Sequence, residues 1–499
     1  MTKYETAQQY IDEKNYLQAL ELLCIPGITK LNQEELEETD KYLSQIPEEV
    51  FAQAPMACLA ALGVDLRCER QAAAHRKYAQ LATLRDACKD GTRERSVLSQ
   101  IVCCAGLMMP KVDNARMLLL LAILSNEHQG RYKMATPVPL SMTSRRPSVL
   151  RGAKDLSEWG KNYRAVVSIV EPMFTELLGD KNNGVVAATV AELLYEHNDL
   201  NAAAAEVAAA LSCHLPEVAF AGMTLLVRMG CAGGADEKRL AELLSNIERL
   251  IEDSGSDQLL PAYRALCAQV NIHMGKLAEV EEWLNNCGMD ELHCTNNYSY
   301  ELLTKAQALI ALGRPRDAVT LLERILLLLR EDFRPMDTIE CLAHCAVAYE
   351  LLDDRDRALD KLEEALHLAE PYRYVRIIAD RGPVMLRLLS QLHKDSERLS
   401  QLSEPYLRNL LEVSKSYSLL HPALYSHGAP QESAAASDLT PMEIQILHLM
   451  GEGKTNKEIG EMLAIKLPTV KFHLANLFEK LQAPNRTAAV NAAKNLHLL

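Results

Sequence analysis

Thr469, Lys471, Phe472, Ala475 and Asn476 fall on one side of a single helix, while Val470, Leu474, Leu477 and Leu481 take the other. An apolar stripe at i, i+4, i+7 and i+11 must face a core, so the first set must face away from it. That outward set holds a hydroxyl, a cation, an aromatic ring, a methyl and an amide. Such groups form no bonds of their own, but they suit the reading of a duplex. Thr469, Lys471 and Lys480 are expected to hold phosphates or groove edges, and Phe472 and Ala475 to meet bases, where apolar groups touch thymine methyls. Lys454, Thr455, Asn456 and Lys466, just upstream, complete the candidate DNA-binding set.

The elements that must position these residues are legible on either side. Thr440-Pro441-Met442-Glu443 is a capping box with proline at the first helical position. The helix it opens carries Ile444, Leu447 and Met450 inward and is stopped by Gly451-Glu452-Gly453. Thr455-Asn456-Lys457-Glu458 is a second capping box, opening a short helix that buries Ile459, Met462 and Leu463. A tight turn at Ala464-Ile465-Lys466 leads to the third helix, from about Pro468 to Leu481. A fourth, roughly Thr487 to Leu496, bears the stripe Ala489, Val490, Ala493 and Leu496, suited to close helix pairing.

Leu439-Thr440, Glu443, Asn456-Lys457-Glu458-Ile459, Thr469-Val470-Lys471, His473, Asn476, Lys480-Leu481 and Asn485-Arg486-Thr487 together resemble the LuxR-type DNA-binding domain of bacterial transcription regulators. The resemblance implies a four-helix helix-turn-helix domain with its third helix in the major groove and its fourth of the kind often used for dimerisation. Met442 stands where that family commonly has arginine, and Lys466 where a serine usually caps the recognition helix.

Other chemistry finds little support. Gly451-Glu452-Gly453-Lys454-Thr455 imitates the end of a phosphate-binding loop, but His448 occupies the first glycine position and a helix precedes it. Cys341, His344 and Cys345 have metal-like spacing in an Ala/Leu helical context with no second ligand pair, and read as core. The thirteen cysteines lack paired spacings and read as reduced cytosolic thiols. No enzyme, cofactor, metal site, signal peptide or membrane span is expected, and the localisation expected is cytoplasmic. The net charge is −14; residues 439–499 hold seven Lys/Arg against five Asp/Glu, so they carry +2 and the remainder −16. DNA contact is therefore expected only at the end of the chain.

The remainder is repetitive. Lys14-Asn15-Tyr16, Gly160-Lys161-Asn162-Tyr163, Asn198-Asp199-Leu200, Gly275-Lys276-Leu277, Gly313-Arg314-Pro315 and Asp353-Asp354-Arg355 each precede an amphipathic helix. Val166, Ala203, Leu240, Val280, Ala318 and Ala358 stand 37, 37, 40, 38 and 40 residues apart. A turn and two helices every forty residues predict a tetratricopeptide-like solenoid, stacked because one helical hairpin cannot bury both faces. Residues 136–153 interrupt the array with three prolines; a surface connector is expected, with Arg145-Arg146 the alternative of an anionic-ligand site. Residues 425–438 read as a flexible linker.

Tyr42-Leu43-Ser44-Gln45-Ile46-Pro47-Glu48-Glu49-Val50 and Tyr374-Val375-Arg376-Ile377-Ile378-Ala379-Asp380-Arg381-Gly382 resemble segments of the large ATP-binding LuxR regulators typified by the maltose regulator. In those an ATPase module precedes the helical array, and no nucleotide-binding loop is found here. The expectation is an all-α chain: a helical repeat array at 1–424 with sub-arrays 1–135 and 154–424, and a helix-turn-helix domain at 439–499. It would be a bacterial sequence-specific regulator that binds double-stranded DNA as a homodimer and takes a small-molecule or protein effector on the array. The alternative is a scaffold whose terminal domain serves protein contacts.

Overall fold

The structure is a computed structural model that describes residues 2–24, 31, 33–109, 143–178, 184–288, 298–394, 402–425, 439–463, 465–480, 483 and 485–495. Within them every regular element is helical, apart from an isolated antiparallel bridge between Arg151 and Asp155. No helix among the described residues is long and apolar enough to cross a membrane.

The repeated turn cue has one backbone cause. Lys14, Asn198, Gly275, Gly313 and Asp353 all take left-handed φ values, between 59° and 72°. In each case the next amide reaches back across the helix end, as from Asn15 to the Tyr10 carbonyl at 2.7 Å and from Arg314 to Leu309 at 2.8 Å. This closure satisfies carbonyls that the helix would otherwise orphan, and it reverses the chain. The same closure recurs at Glu69 and Gly234, where the sequence carries no such cue. Gly160 differs, lying inside the short helix Ser157–Gly160, where a Cβ would come 2.6 Å from Leu193 Cδ2.

These turns pair Val185–Glu196 with Leu200–Leu211, Leu260–His273 with Leu277–Asn286, Ser299–Ala311 with Pro315–Glu331, and Pro335–Leu351 with Arg355–Ala369. The second helices are amphipathic: Pro315–Glu331 buries Ala318, Leu321, Leu322, Ile325, Leu326 and Leu329. Of the anchors spaced about forty apart, Ala203, Leu240, Val280, Ala318 and Ala358 are buried and Val166 is half-buried. The first helices Ser299–Ala311 and Pro335–Leu351 are covered nearly all round; every residue from Met336 to Tyr349 is buried. A helix on the concave side can be buried that way only if something fills the concavity.

Residues 143–158 fill it. Glu192 accepts from the amides of Val149, at 2.8 Å, and Leu150, at 3.3 Å, and bonds the Ser148 hydroxyl. Asp155 accepts from the Met336 amide at 2.9 Å, Lys154 Nζ donates to the Met109 carbonyl at 3.2 Å, and the Tyr374 hydroxyl donates to Ser157 at 2.9 Å. The expectation of a surface connector is therefore wrong for this part, and residues 136–142 lie outside the described residues. Proline forbids a helix here, but side chains from distant repeats take up the backbone groups that an extended strap exposes. Arg146 is buried, and the Arg145 guanidinium lies 5.2 Å from the Tyr298 ring centre.

Among the described residues one core cluster draws on residues from Ala7 to Tyr425, a second, from Phe220 to Tyr300, lies within the array, and the helices after Leu439 hold a third. Tyr425, placed in the linker by sequence, is buried with the array; residues 426–438 lie outside the described residues.

Candidate nucleic-acid interface

Four helices, Pro441–Gly451, Asn456–Met462, Leu467–Lys480 and Arg486–Asn495, build the terminal domain around Ile444, Leu447, Ile459, Val470, Leu474 and Leu477. Both capping boxes form in full. The amides of Glu443 and Glu458 donate to the Thr440 and Thr455 hydroxyls at 3.3 Å, and the glutamates accept from the threonine amides at 2.7 Å. Gly453 turns the chain at φ 83°. The turn after the second helix folds back so closely that a Cβ on Gly460 would sit 2.9 Å from the Ile465 carbonyl oxygen.

This scaffold splits the third helix as its periodicity demands. Val470, Leu474 and Leu477 are buried, while Thr469, Lys471, Phe472 and Ala475 are exposed and Asn476 is half-buried. Phe472 is 63% exposed, an uncommon position for a large ring with no partner to cover it, and its ring meets His473 edge-on at 5.7 Å. Lys466 is exposed at the N-cap: its carbonyl accepts from the Thr469 amide at 2.8 Å and the Val470 amide at 3.1 Å. The Lys480 side chain lies outside the described residues.

Upstream, Thr455 is exposed, but its hydroxyl and amide are engaged in the cap, and Lys454 is half-buried. Asn456 is half-buried and turned inward, its Oδ1 accepting from Arg486 at 3.3 Å. Arg486 was not singled out as a positioning residue by sequence. Its guanidinium also donates to the carbonyls of Lys454, at 2.6 Å, and Met450, at 3.3 Å, pinning the first turn to the fourth helix. Its signal in the sequence is the run Asn485-Arg486-Thr487, in which Asn485 caps that helix through a 2.9 Å bond from the Ala488 amide.

The small-residue stripe faces differently from what was expected. Ala489 and Ala493 are fully buried in the domain's own core and Val490 is half-buried against it; Leu496 lies outside the described residues. Small side chains here let the fourth helix lie close to its own neighbours, which removes both alanines from any partner surface. In the array, Cys341, His344 and Cys345 are fully buried core residues, and the Cys341 thiol donates to the Leu322 carbonyl.

Two family profiles match the chain. One, described as bacterial regulatory proteins of the luxR family, covers residues 437–493; the other, described as a MalT-like TPR region, covers residues 181–395. The chain is 39% identical over 105 residues to the transcriptional regulatory protein LiaR of Bacillus subtilis, covering 21% of this chain and 46% of that protein. It is 26% identical over 230 residues to the HTH-type transcriptional regulator MalT of Vibrio campbellii, covering 44% of this chain and 26% of that protein. To the MalT of Vibrio cholerae it is 28% identical over 228 residues, covering 44% and 25%. The chain thus spans under half the length of the shorter regulator and about a quarter of the longer ones.

Proposed function

We propose that this chain, which carries a luxR-family DNA-binding domain and a MalT-like helical repeat region, is a sequence-specific transcription regulator whose array receives the signal and whose terminal domain reads DNA. The observation that carries this is the split of the helix Leu467–Lys480 into a buried apolar face and an exposed face of Thr469, Lys471, Phe472 and Ala475. Lys471 and Thr469 engage phosphates, and Phe472 and Ala475 meet base edges. Thr455 and Asn456 serve the scaffold through the cap and Arg486, while Lys454 and Lys466 add positive charge at the groove mouth. Binding as a homodimer is part of the same reading, with its contacts on residues other than Ala489 and Ala493.

Met462, expected in the core, is instead 58% exposed; with Leu467 and Phe472, exposed by 43% and 63%, it favours a second reading in which this face docks a protein. Salt separates the two. Genomic fragments selected by the full chain should bind it with an affinity that falls steeply as salt rises, because phosphate contacts release counterions. Lys471→Ala should lower the slope of log K against log salt by about one. A full chain that retains no genomic fragment at low salt would remove the DNA-reading function and leave the protein-docking one.

A further inference from the structure

Between the strap and the inner helices lies a chamber of about 60 Å³, with Arg151, Thr224, Arg228, Tyr300, Glu340 and Arg381 in its wall. At about 10–15 Å³ for each water-sized occupant, that is room for roughly four to six non-hydrogen atoms.

Two properties of the wall point to an occupant of defined chemistry. Positive charge is in local excess. Glu340 bonds both Arg151 and Arg381, Asp337 is shared by Arg146, Arg151 and Arg334, Glu196 bonds Arg228 and Asp380 bonds Arg376, so among the described residues six guanidiniums in and behind this wall are paired with four carboxylates. The nearby carboxylates Asp155 and Glu192 are turned to backbone amides and hydroxyls of their own. Buried cations require an anion or an acceptor.

Hydrogen bonding is incomplete as well. Among the described residues, the Tyr300 hydroxyl, the Thr224 hydroxyl and Arg381 Nε are buried without a hydrogen-bond partner, and all three residues line this wall. A buried polar group left unsatisfied costs about 1–3 kcal/mol, so three on residues that line one chamber are an unusual concentration. Burial pushes the Tyr300 hydroxyl well above its ordinary range, keeping it a donor, and holds the lining His273 down at about 4, keeping it neutral.

We propose that this chamber binds a small oxyanion of about four to six heavy atoms, a phosphate or a short carboxylate, between Arg381, Tyr300 and Thr224. The Arg381 guanidinium supplies the charge, and the two hydroxyls donate to the remaining oxygens. A larger ligand would have to displace residues 147–151. As the effector of the regulator proposed above, on which this second part rests, the anion acts through Arg381 and Gln307. Both line the chamber and both neighbour Tyr425, the last described residue before the segment that leads to the DNA-binding domain.

The test uses the full chain with inorganic phosphate, glycolate and neutral glycerol at constant ionic strength. Phosphate or glycolate, but not glycerol, should raise the melting temperature in a saturable way. Tyr300→Phe and Thr224→Val remove hydroxyls that make no hydrogen bond in the described fold, so each should melt like the parent without anion yet bind it about tenfold more weakly. Neither anion stabilising the parent, or equal stabilisation of parent and both variants, as from an ion held elsewhere, would overturn the site. Fragment binding to the full chain should change about fivefold or more with the anion that binds, and not in Tyr300→Phe. DNA binding that ignores the anion would overturn the effector role and leave the regulator reading standing. Tyr300-dependent anion binding in a chain that holds no DNA would overturn the regulator reading and leave the site.

Discussion

Arg334 donates a 2.7 Å hydrogen bond from Nη2 to the backbone carbonyl of Arg151, 183 residues earlier in the chain. Arg334 stands at the start of the inner helix Pro335–Leu351, and Arg151 belongs to the strap. Arg334 also bonds Asp337 at 2.6 Å, and Asp337 accepts from Ser299 at 2.9 Å. The strap is therefore wired into the same network that ties neighbouring repeats together.

Asp337→Asn preserves shape but removes one of the two carboxylates that serve Arg146, Arg151, Arg334 and Arg381. Breaking a buried ionic network from one side typically costs about 3–5 kcal/mol. The expected result is a lower urea midpoint for the full chain and faster proteolysis within residues 143–158. An unchanged midpoint would mean that the guanidiniums do not depend on Asp337.

Glu301 sets a pH dependence. Its carboxyl is buried, with Oε2 lacking a hydrogen-bond partner among the described residues, and burial pushes its pKa up to about 7, against the pull of a backbone hydrogen bond and Arg145. The folded value exceeds the unfolded one, near 4.5, so the unfolded chain releases this proton first as pH rises. The group costs stability progressively from about pH 4.5 to 7, reaching about 3 kcal/mol at most. Glu301→Gln should accordingly stabilise the full chain at pH 8 and have little effect at pH 4.5. A gain that is the same at both pH values would rule out the raised pKa.

Phe472→Ala separates reading from folding. The ring is 63% exposed, so its loss should change stability by less than about 0.5 kcal/mol while lowering affinity for a selected fragment about tenfold. Fluorescence anisotropy with one labelled fragment, beside a thermal melt, reads both. Full affinity in the variant would take Phe472 out of the interface.

Lys466 stands at the N-cap of the recognition helix with a side chain that cannot accept an amide hydrogen bond and adds positive charge there. Lys466→Ser should raise the stability of the terminal domain by about 1 kcal/mol. Gly460→Ala should lower it by about 1–3 kcal/mol, because the new methyl meets the Ile465 carbonyl oxygen at 2.9 Å. The domain's own unfolding transition within the full chain reports both. A melt unmoved by serine would argue against this cap, and one unmoved by alanine would show that the turn yields.

What the sequence determined by itself was whatever four or five consecutive residues decide. The capping boxes at Thr440 and Thr455, the left-handed turns at Lys14, Asn198, Gly275, Gly313 and Asp353, and the division of the helix after Lys466 all follow from hydrogen bonds and periodicity within a few positions. Tertiary structure alone decided the course of residues 143–158. Proline removed the helical option, and the choice between surface and interior then rested on Glu192, Arg334 and Tyr374, none of them local. The same holds for Arg486, whose acceptors lie 30 to 36 residues back, and for Ala489 and Ala493, whose small size fits either a partner helix or their own core. Periodicity marks which face of an element is apolar. What covers that face depends on which distant groups arrive to satisfy its neighbours, and only the packed chain brings them together.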